Sequence, residues 1–546
     1  MAVVGARVQE ETLGSNLEGF YERLGKRPPL GLGAVSHAIS AIDNIFGFTI
    51  RRRIARRLVV SALESLGLAS EKIRFINHHL AHAAGAYFLS GFPVALVITS
   101  DGKGDLCSNH SYVVEDGKFH LLASSAAHDS LGFFYAAATA FLGFKPLRHE
   151  GKVMGLSASG SSENTQHHAA PVSFDAESHS ITNHLILKSE VDRRFVWMRK
   201  MLLEDPFVLI RWVTTKAGLL TQYAQYRLLR FFEDSFQACS REDIAAYAQS
   251  TLEEVGLSLV KSFIKEGETR DICLSGGTFA NVVLNQKIAS LPCVGKCFVQ
   301  PAMDDSGLAA GAALTVANEG SESWQPAPIR SAFLGPEYSD QDIVESIESF
   351  GLDFQRIDDV PALAAQWLAN GVIVGIFAGR LEWGPRALGN RSILVSAADP
   401  DINRRLNDRL RRSEFMPFAP CLPESLAEDV LVGYLRDDMC AKYMTRTYYV
   451  DQGFVEKIPA AVHLDGTARP YVVFEEQNPL LHEVLLQYGE RTGVPVLINT
   501  SFNVHEEPIV CSPDDAIRAF LQGAVDVVFV GQFLVVGNGI ECSSTI

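Results

Sequence analysis

Residues 94–99 read Val-Ala-Leu-Val-Ile-Thr, an apolar and β-branched run bounded by Pro93 and by the turn sequence Asp101-Gly-Lys-Gly-Asp105. That pattern predicts a short buried strand ending in a glycine turn. The residues before it, "HHLAHAAGAYFLSGF", repeat apolar positions at helical spacing and predict a helix opening on His78. Upstream, residues 35–67 carry a second helical pattern, whose basic run "RRRIARR" (51–57) reads as a solvated face. Downstream, "HSYVVEDGKFHLLAS" predicts two strands around an Asp116-Gly117 hairpin turn. Residues 130–144 predict an apolar helix stopped at Gly143, and 149–160 carry glycines suited to close backbone approach. Residues 161–175 are polar and predict a loop, whereas 190–265 are mostly helical in pattern.

The pattern then settles into strand, turn and helix. Residues 271–289 predict a strand, a Gly-Gly turn and a helix, and 298–319 predict a strand, an acidic turn and an Ala-rich helix. Ser, Pro and Gly gather at 320–335, which predicts a domain linker. Beyond it, Ser339 is placed to cap a helix over 340–350. The runs 371–378 and 527–537 predict core strands, being too short or too polar to cross a bilayer. A glycine-punctuated turn and strand (381–397), a polar helix, and the stretches 462–470 and 493–513 complete a second domain. Such interleaving of strands and helices is that of an α/β protein.

Composition narrows the class. At 546 residues two to four domains are expected, at roughly 100–200 residues each. The net charge of −16 argues against broad nucleic-acid or anionic-membrane binding. Nine cysteines are scattered without any CxxC pair, which predicts reduced thiols in a cytoplasm and argues against a zinc ribbon. No signal peptide is expected at the start.

Two groups of side chains carry candidate chemistry. His78 and His82 are four apart, so a helix presents both imidazoles on one face. Asp101 arrives at the end of the adjacent strand, where ligands sit in α/β sheets. Two imidazoles and a carboxylate could hold a divalent metal with positions left open, although such a His pair also occurs on ordinary helix surfaces. Asp304 and Asp305, in the acidic turn at 304–305, are candidates for a further carboxylate. The Gly276-Gly277 turn could receive a phosphate or ribose on helix N-terminal N–H groups, or be simply a tight turn. The second group is arginine: Arg380, Arg386, Arg391, Arg405, Arg411 and Arg469 all stand near predicted strand ends or turns. Guanidinium groups so gathered suit an oxyanion held bidentately, unless they pair with Glu382, Asp399, Asp408 or Glu414. Asn499, Thr500, Ser501 and Asn503 add neutral donors and acceptors fit for a planar amide or an adenylate.

Ten stretches in order resemble the O-carbamoyltransferase family of nodulation-factor, cephamycin and aminoglycoside biosynthesis. They are "HHLAHAAGAYFLSGF", "DGKGD", "SLGFFYAAATAFLGF", "GKVMGLSASG", "LSGGTFANVVLNQKI", "DDSGLAAGAA", "EWGPRALGNRSIL", "EFMPFAP", "DGTARP" and "NTSFNVHEEPIVCSPDDAI". The resemblance implies an actin/sugar-kinase/Hsp70-like (ASKHA) domain over 1–325 and a YrdC-like α/β domain over 331–546. It implies a carbamoyltransferase that converts carbamoyl phosphate and ATP to carbamoyl adenylate and transfers the carbamoyl group to an acceptor hydroxyl. The implied partner is a small molecule of specialised metabolism, with no nucleic acid and no membrane, and a homodimer accords with the family.

By position, the resemblance assigns His78, His82 and Asp101 to a metal, in this branch usually iron, with Asp305 or alternatively Asp304 as the fourth ligand. It assigns Gly276, Gly277 and Asn281 to the adenylate. It assigns Arg380, Arg405, Arg411, Arg469 and Ser501 to carbamoyl phosphate, with Lys103, Arg386 and Asn499 counted among the substrate-binding residues. His78, Asp101 and Arg380 are the expected catalytic groups. Many relatives carry Lys in place of Arg405 or Arg411, and Gly in place of Glu506. Relatives also open on a strand pair with a His-Asp turn, which has no counterpart before residue 35. Residues 1–12 would be the remnant of its second strand, so the start is expected to be truncated or misassigned, or activity compromised. The competing expectations are a nucleotide-binding protein without transfer and a transferase acting on tRNA or on a protein.

Overall fold

The computed structural model describes residues 49–165, 167–186, 220–320, 325–410, 418–504 and 507–537. Helix α1 (Thr49–Glu64) covers the described part of the first helical pattern, and the expected remnant strand at 1–12 lies outside the described residues. Helix α2 (His78–Ser90) starts where Asn77 accepts the Leu80 N–H and stops at Gly91, whose φ of 76° is the left-handed conformation glycine adopts freely. Strands β1 (Val94–Gly104), β2 (Cys107–Glu115) and β3 (Lys118–Ala126) form an antiparallel meander. Asp116 and Gly117, with φ of 49° and 70°, make the two-residue turn expected between β2 and β3.

One expectation needs correction in the next stretch. Helix α3 (Leu131–Phe141) is followed by helix α4 (Glu150–Ser157), which takes up most of the glycine-bearing stretch 149–160. Residues 161–175 are not all loop, since β4 (Val172–Asp175) pairs with β5 (Ser180–Asn183). Helices α5 (Leu220–Ser235) and α6 (Arg241–Lys261) occupy the described part of the long helical region. Then come β6 (Arg270–Ser275), α7 (Val282–Ala289), β7 (Val294–Val299) and α8 (Leu308–Glu319). The first sheet has the order β3-β2-β1-β6-β7, with β6 and β7 parallel to β1.

Beyond residue 325 the chain runs back along α2, where Ala327 and Ile329 donate to the Phe88 and Leu89 carbonyls at 3.0 and 2.9 Å. Helix α9 (Asp340–Ser349) carries a full capping box between Ser339 and Asp342. Next come β8 (Gln355–Arg356), α10 (Val360–Ala369), β9 (Val374–Phe377), β10 (Arg391–Ser396), α11 (Ile402–Arg409) and β11 (Ala419–Pro423). After the small β12 (Tyr448–Tyr449) and β13 (Thr467–Ala468) pair come β14 (Tyr471–Val473), α12 (Pro479–Thr492) and β15 (Leu497–Ser501). Helix α13 (Pro513–Leu521), β16 (Val527–Val530) and β17 (Phe533–Val536) end the described chain. The run 527–537 is thus a hairpin, not one strand, because Gly531 takes φ of 61° and turns it back. The second sheet has the order β14-β11-β15-β10-β9-β16-β17-β8.

One apolar core joins the two sheets. Tyr87, Phe88 and Phe298 from the first half pack in the same buried cluster as Trp367, Tyr443 and Tyr471 from the second. Burial of such side chains is worth roughly 1.5–3 kcal/mol each, so the seam between the sheets is held by the same force as a domain interior. No helix among the described residues is long and apolar enough to cross a membrane.

Candidate functional site

Three segments bring ligand-type side chains to a single point. His78 and His82 come from α2, Asp101 from β1, and Asp305 from the turn between β7 and α8; their donor atoms all lie within 4.8 Å of one another. His78 Nε2 stands 3.1 Å from Asp101 Oδ2 and 3.6 Å from Asp305 Oδ1. His82 Nε2 stands 3.6 and 3.5 Å from the same two oxygens. Of the two carboxylates in the acidic turn, Asp305 is therefore the one at the cluster. Asp304 instead caps the turn, accepting the Ser306 N–H at 2.9 Å.

The third histidine of the motif points elsewhere. His79 is fully buried between Thr99 Oγ1 (2.9 Å) and the Cys107 carbonyl (3.1 Å), and burial pushes its imidazole down to about 3. It is a neutral structural group, with Nε2–H donating to the carbonyl. His82 is opposite in character. Burial works against its protonation, yet the carboxylates of Asp101 and Asp305 outweigh burial and lift it to about 9. Asp101 is half-buried, and His78 and His82 offset the desolvation of its carboxylate and hold it well below the usual carboxylate range.

Residues around the cluster fix its orientation. His82 Nδ1 lies 3.0 Å from Ser275 Oγ, and Ser275 donates to Gln300 Oε1 at 2.9 Å. Ser275 thus accepts from Nδ1–H, which leaves the Nε2 lone pair of a neutral His82 aimed at the carboxylates. Asp105, at φ of 48°, accepts from the His78 N–H (2.9 Å) and from Asn77 Nδ2 (3.1 Å), tying the start of α2 to the end of β1. Gly104 must be glycine: a Cβ there would lie 2.0 Å from the His78 ring.

The donor set fits a divalent first-row metal. Two imidazole nitrogens and two carboxylate oxygens converge, and the buried His82 Nε2 has no hydrogen-bond partner among the described residues. A buried cluster of this kind is costly without a cation to offset the desolvated carboxylates.

The other expected site residues separate. Gly276 (φ of 103°) packs against the Ser100 backbone, and its N–H is taken by the Met303 carbonyl at 2.7 Å, so it is not free for phosphate. Gly277 adjoins Asp101: a Cβ there would lie 3.0 Å from Oδ1. Asn281 caps α7 through Leu284 N–H and shares hydrogen bonds with Gln249. Lys103 is half-buried on β1, two residues past Asp101.

Among the arginines, Arg391 is fully buried, donates to the carbonyls of Ala378, Gly379 and Asn390, and lies 3.7 Å over the Phe377 ring. It braces the sheet. Arg405 is exposed and pairs with Asp399 at 3.2 Å in a surface ion pair. Arg380 is exposed, held by the Leu334 and Gly335 carbonyls at 2.9 and 3.1 Å. Arg386 reaches across the seam to the Ala280 carbonyl (3.1 Å); burial pushes its guanidinium down to about 10, against the pull of Asp304. Arg469 is half-buried after β13, and Arg411 lies outside the described residues. Asn499, 2% exposed, donates to the Ala387 carbonyl at 2.7 Å, and Ser501 donates to Asn503 Oδ1 at 3.1 Å.

Sequence reasoning missed Ser275, and it considered Glu382 only as an ion-pair partner for an arginine. Ser275 could have been found as the last strand residue before Gly276-Gly277. Glu382 Oε1 accepts the N–H groups of Leu388, Asn390 and Arg391 at 2.9, 2.9 and 3.0 Å, and so shapes the loop that carries Arg386. Only its identity as an acid in a glycine-rich loop hinted at that.

Comparison with known proteins adds sequence likeness to this geometry. Residues 34–314 match the family model described as the carbamoyltransferase N-terminus, and residues 365–536 match the carbamoyltransferase C-terminus. The chain is 34% identical over 469 residues to nodulation protein NolO of Bradyrhizobium diazoefficiens, covering 84% of this chain and 78% of that one. It is 30% identical over 474 residues to an uncharacterized protein of Methanocaldococcus jannaschii, covering 85% and 83%. Nodulation protein NolNO of Sinorhizobium fredii is 31% identical over 471 residues, covering 85% of this chain and 64% of the relative. Among solved structures, HypF in its phosphate- and nucleotide-bound form matches with a TM-score of 0.23 and 16% identity. That match covers 34% of this chain and 22% of the other, too little to bear on the fold.

Proposed function

The chain belongs to the carbamoyltransferase family and is a carbamoyltransferase, and from that premise we propose how its two halves divide the reaction. The half built on the eight-stranded sheet makes carbamoyl adenylate from carbamoyl phosphate and ATP. The half built on the five-stranded sheet passes the carbamoyl group to a hydroxyl of a small-molecule acceptor. The first half is read as ASKHA-like and the second as YrdC-like, with the division at 325–331. The strand order β3-β2-β1-β6-β7, antiparallel then parallel, supports the first of these readings.

Atom balance shapes the proposal. Carbamoyl phosphate gives up its phosphate to water, the resulting carbamate oxygen attacks the α-phosphorus of ATP, and pyrophosphate leaves. The acceptor hydroxyl then attacks the carbamoyl carbon of the mixed anhydride, and AMP leaves with the acceptor's proton passed to a base. Arg380, Arg469 and Ser501 are proposed to hold the phosphate oxygens, where charge-assisted hydrogen bonds are worth roughly 1.5–3 kcal/mol each. His78, His82, Asp101 and Asp305 would hold a divalent metal, iron being our choice, and such an ion polarises a carbonyl as a Lewis acid. Ser275 keeps His82 in the tautomer that can ligate. Gly277, set against Asp101, lets a nucleotide approach the cluster closely.

The observation that carries this reading is the convergence of two imidazoles and two carboxylates, drawn from three segments, within 4.8 Å in a chain of this family. The test is incubation of the protein with ATP, carbamoyl phosphate and a divalent metal while pyrophosphate is followed. Release that depends on carbamoyl phosphate is the expected result. ATP binding without release, in folded protein, would overturn the reading in favour of a nucleotide-binding protein.

A further inference from the structure

Helix α11 is polar by composition, yet one of its faces is buried. Ile402, Leu406 and Leu410 pack into the core with Val395 and Ile498 of the large sheet and with Phe502 just past β15. Asn403 and Asn407, one turn apart on the helix, are each only 5% exposed. Asn403 Nδ2 donates to the Ala460 carbonyl at 2.8 Å. Its Oδ1, and both Nδ2 and Oδ1 of Asn407, have no hydrogen-bond partner among the described residues. A buried amide with neither atom satisfied is destabilising, because its lost hydration is not replaced, and native proteins retain few. Leucine would fill the same space at no such cost. The amide is therefore kept for something that fills its donor and its acceptor together.

The surroundings say what kind of group that is. Ala460 opens the segment that turns at Gly466, where His463 N–H donates to the Thr467 carbonyl at 2.7 Å, and that segment continues to Arg469. Ala460 and Ala468 share the core cluster with Leu406. So Asn403, on the amide face of α11, is hydrogen-bonded to the start of the segment that leads on to Arg469, while Arg405, on the same helix, pairs with Asp399 at the surface. A primary amide is complementary to another primary amide: the N–H of each donates to the C=O of the other. A carbamoyl group, an amino group and an oxygen on one carbonyl carbon, presents that same edge.

We propose that Asn407, with Asn403 Oδ1 beside it, recognises the carbamoyl end of carbamoyl phosphate and so sets specificity for carbamoyl over other acyl phosphates. This rests on the reading above that the second half activates carbamoyl phosphate. Acetyl phosphate is the discriminating probe, since it keeps the acyl phosphate and replaces the amino group by a methyl.

The experiment compares full-length wild type, Asn407→Leu and the near-isosteric Asn407→Asp, with thermal melts to report folding. It measures KM for carbamoyl phosphate in pyrophosphate release, and Ki for acetyl phosphate as a competitor. The expected result is a rise in KM of tenfold or more in both variants, with the acetyl phosphate Ki within twofold of wild type. A parallel rise in both constants would show a structural role and overturn the proposal. No change in either would show that the amides hold only water, and would overturn it too. Absence of carbamoyl phosphate-dependent release in wild type would instead sink the underlying reading, a result separable from the other two. If Asn407→Leu fails to fold, Asn407→Asp alone decides between these outcomes.

Discussion

The His/Asp cluster and the arginine group form opposite kinds of site. In the cluster, His78, His82 and Asp101, singled out on α2 and β1, arrive at the same point, within a shell of glycine and serine contacts that leaves little room to move. In the second half, residues of one type scatter to different tasks: Arg391 braces the sheet, Arg405 pairs at the surface, and Arg386 crosses the seam. The difference is one of sequence distance. Two histidines four apart on a helix are placed by helix geometry alone, and a strand end places Asp101 beside them. An arginine has a long side chain and five donors, so its partner depends on which carbonyl or carboxylate the fold brings near.

Substitutions that separate the two regions test that contrast most sharply. His82→Ala should abolish metal binding and acceptor carbamoylation while leaving carbamoyl phosphate-dependent pyrophosphate release within about twofold, as domain-local chemistry requires. Arg380→Ala should do the reverse, losing pyrophosphate release while metal content by elemental analysis is unchanged. Loss of both activities in either variant would erase the division between the halves. Next in size is Ser275→Ala, which frees the His82 ring. Metal affinity by titration should fall roughly 10–100-fold, the usual cost of losing a residue that orients a metal-bound histidine.

Smaller effects sharpen the view of the second half. His463 is pushed down to about 4, chiefly by burial and with Arg469 adding to it. Its folded pKa lies below the unfolded value of 6.5, so the unfolded chain binds the extra proton as pH falls. Stability should therefore drop between about pH 6.5 and 4, by about 1–2 kcal/mol from this residue after solvent screening. Melting curves across that window should be flatter for His463→Asn; an identical slope would remove His463 from the account. Arg405→Ala should be the mildest. A surface pair is worth about 0–1 kcal/mol, so the KM for carbamoyl phosphate should stay within a factor of about 5. A larger rise would return Arg405 to the phosphate site.

Legibility in the sequence followed the same division. The strand at 94–99, the Asp116-Gly117 hairpin, the Ser339 cap and the helix opening on His78 were all written locally, in period and in turn chemistry. Local pattern also misled where two states share it. Residues 161–175 are largely polar yet their last four residues pair as β4, and 527–537 is one apolar run yet two strands, because a single φ of 61° at Gly531 folds it back.

By itself the sequence determined the α/β class and the pairing of His78 with His82, since these depend on period, composition and fixed spacing, while its ten ordered motifs carried the resemblance to the family. Only the tertiary structure decided that Asp305 reaches the cluster while Asp304 caps a turn, that His79 is buried as a neutral strut, and that Asn403 and Asn407 face inward unsatisfied. Each of those outcomes turns on which distant backbone lies opposite: Thr99 and Cys107 for His79, Ser275 for His82, Ala460 for Asn403. Adjacent residues of one type share their local propensities, so only the long-range packing that fixes each side chain's neighbours can tell them apart.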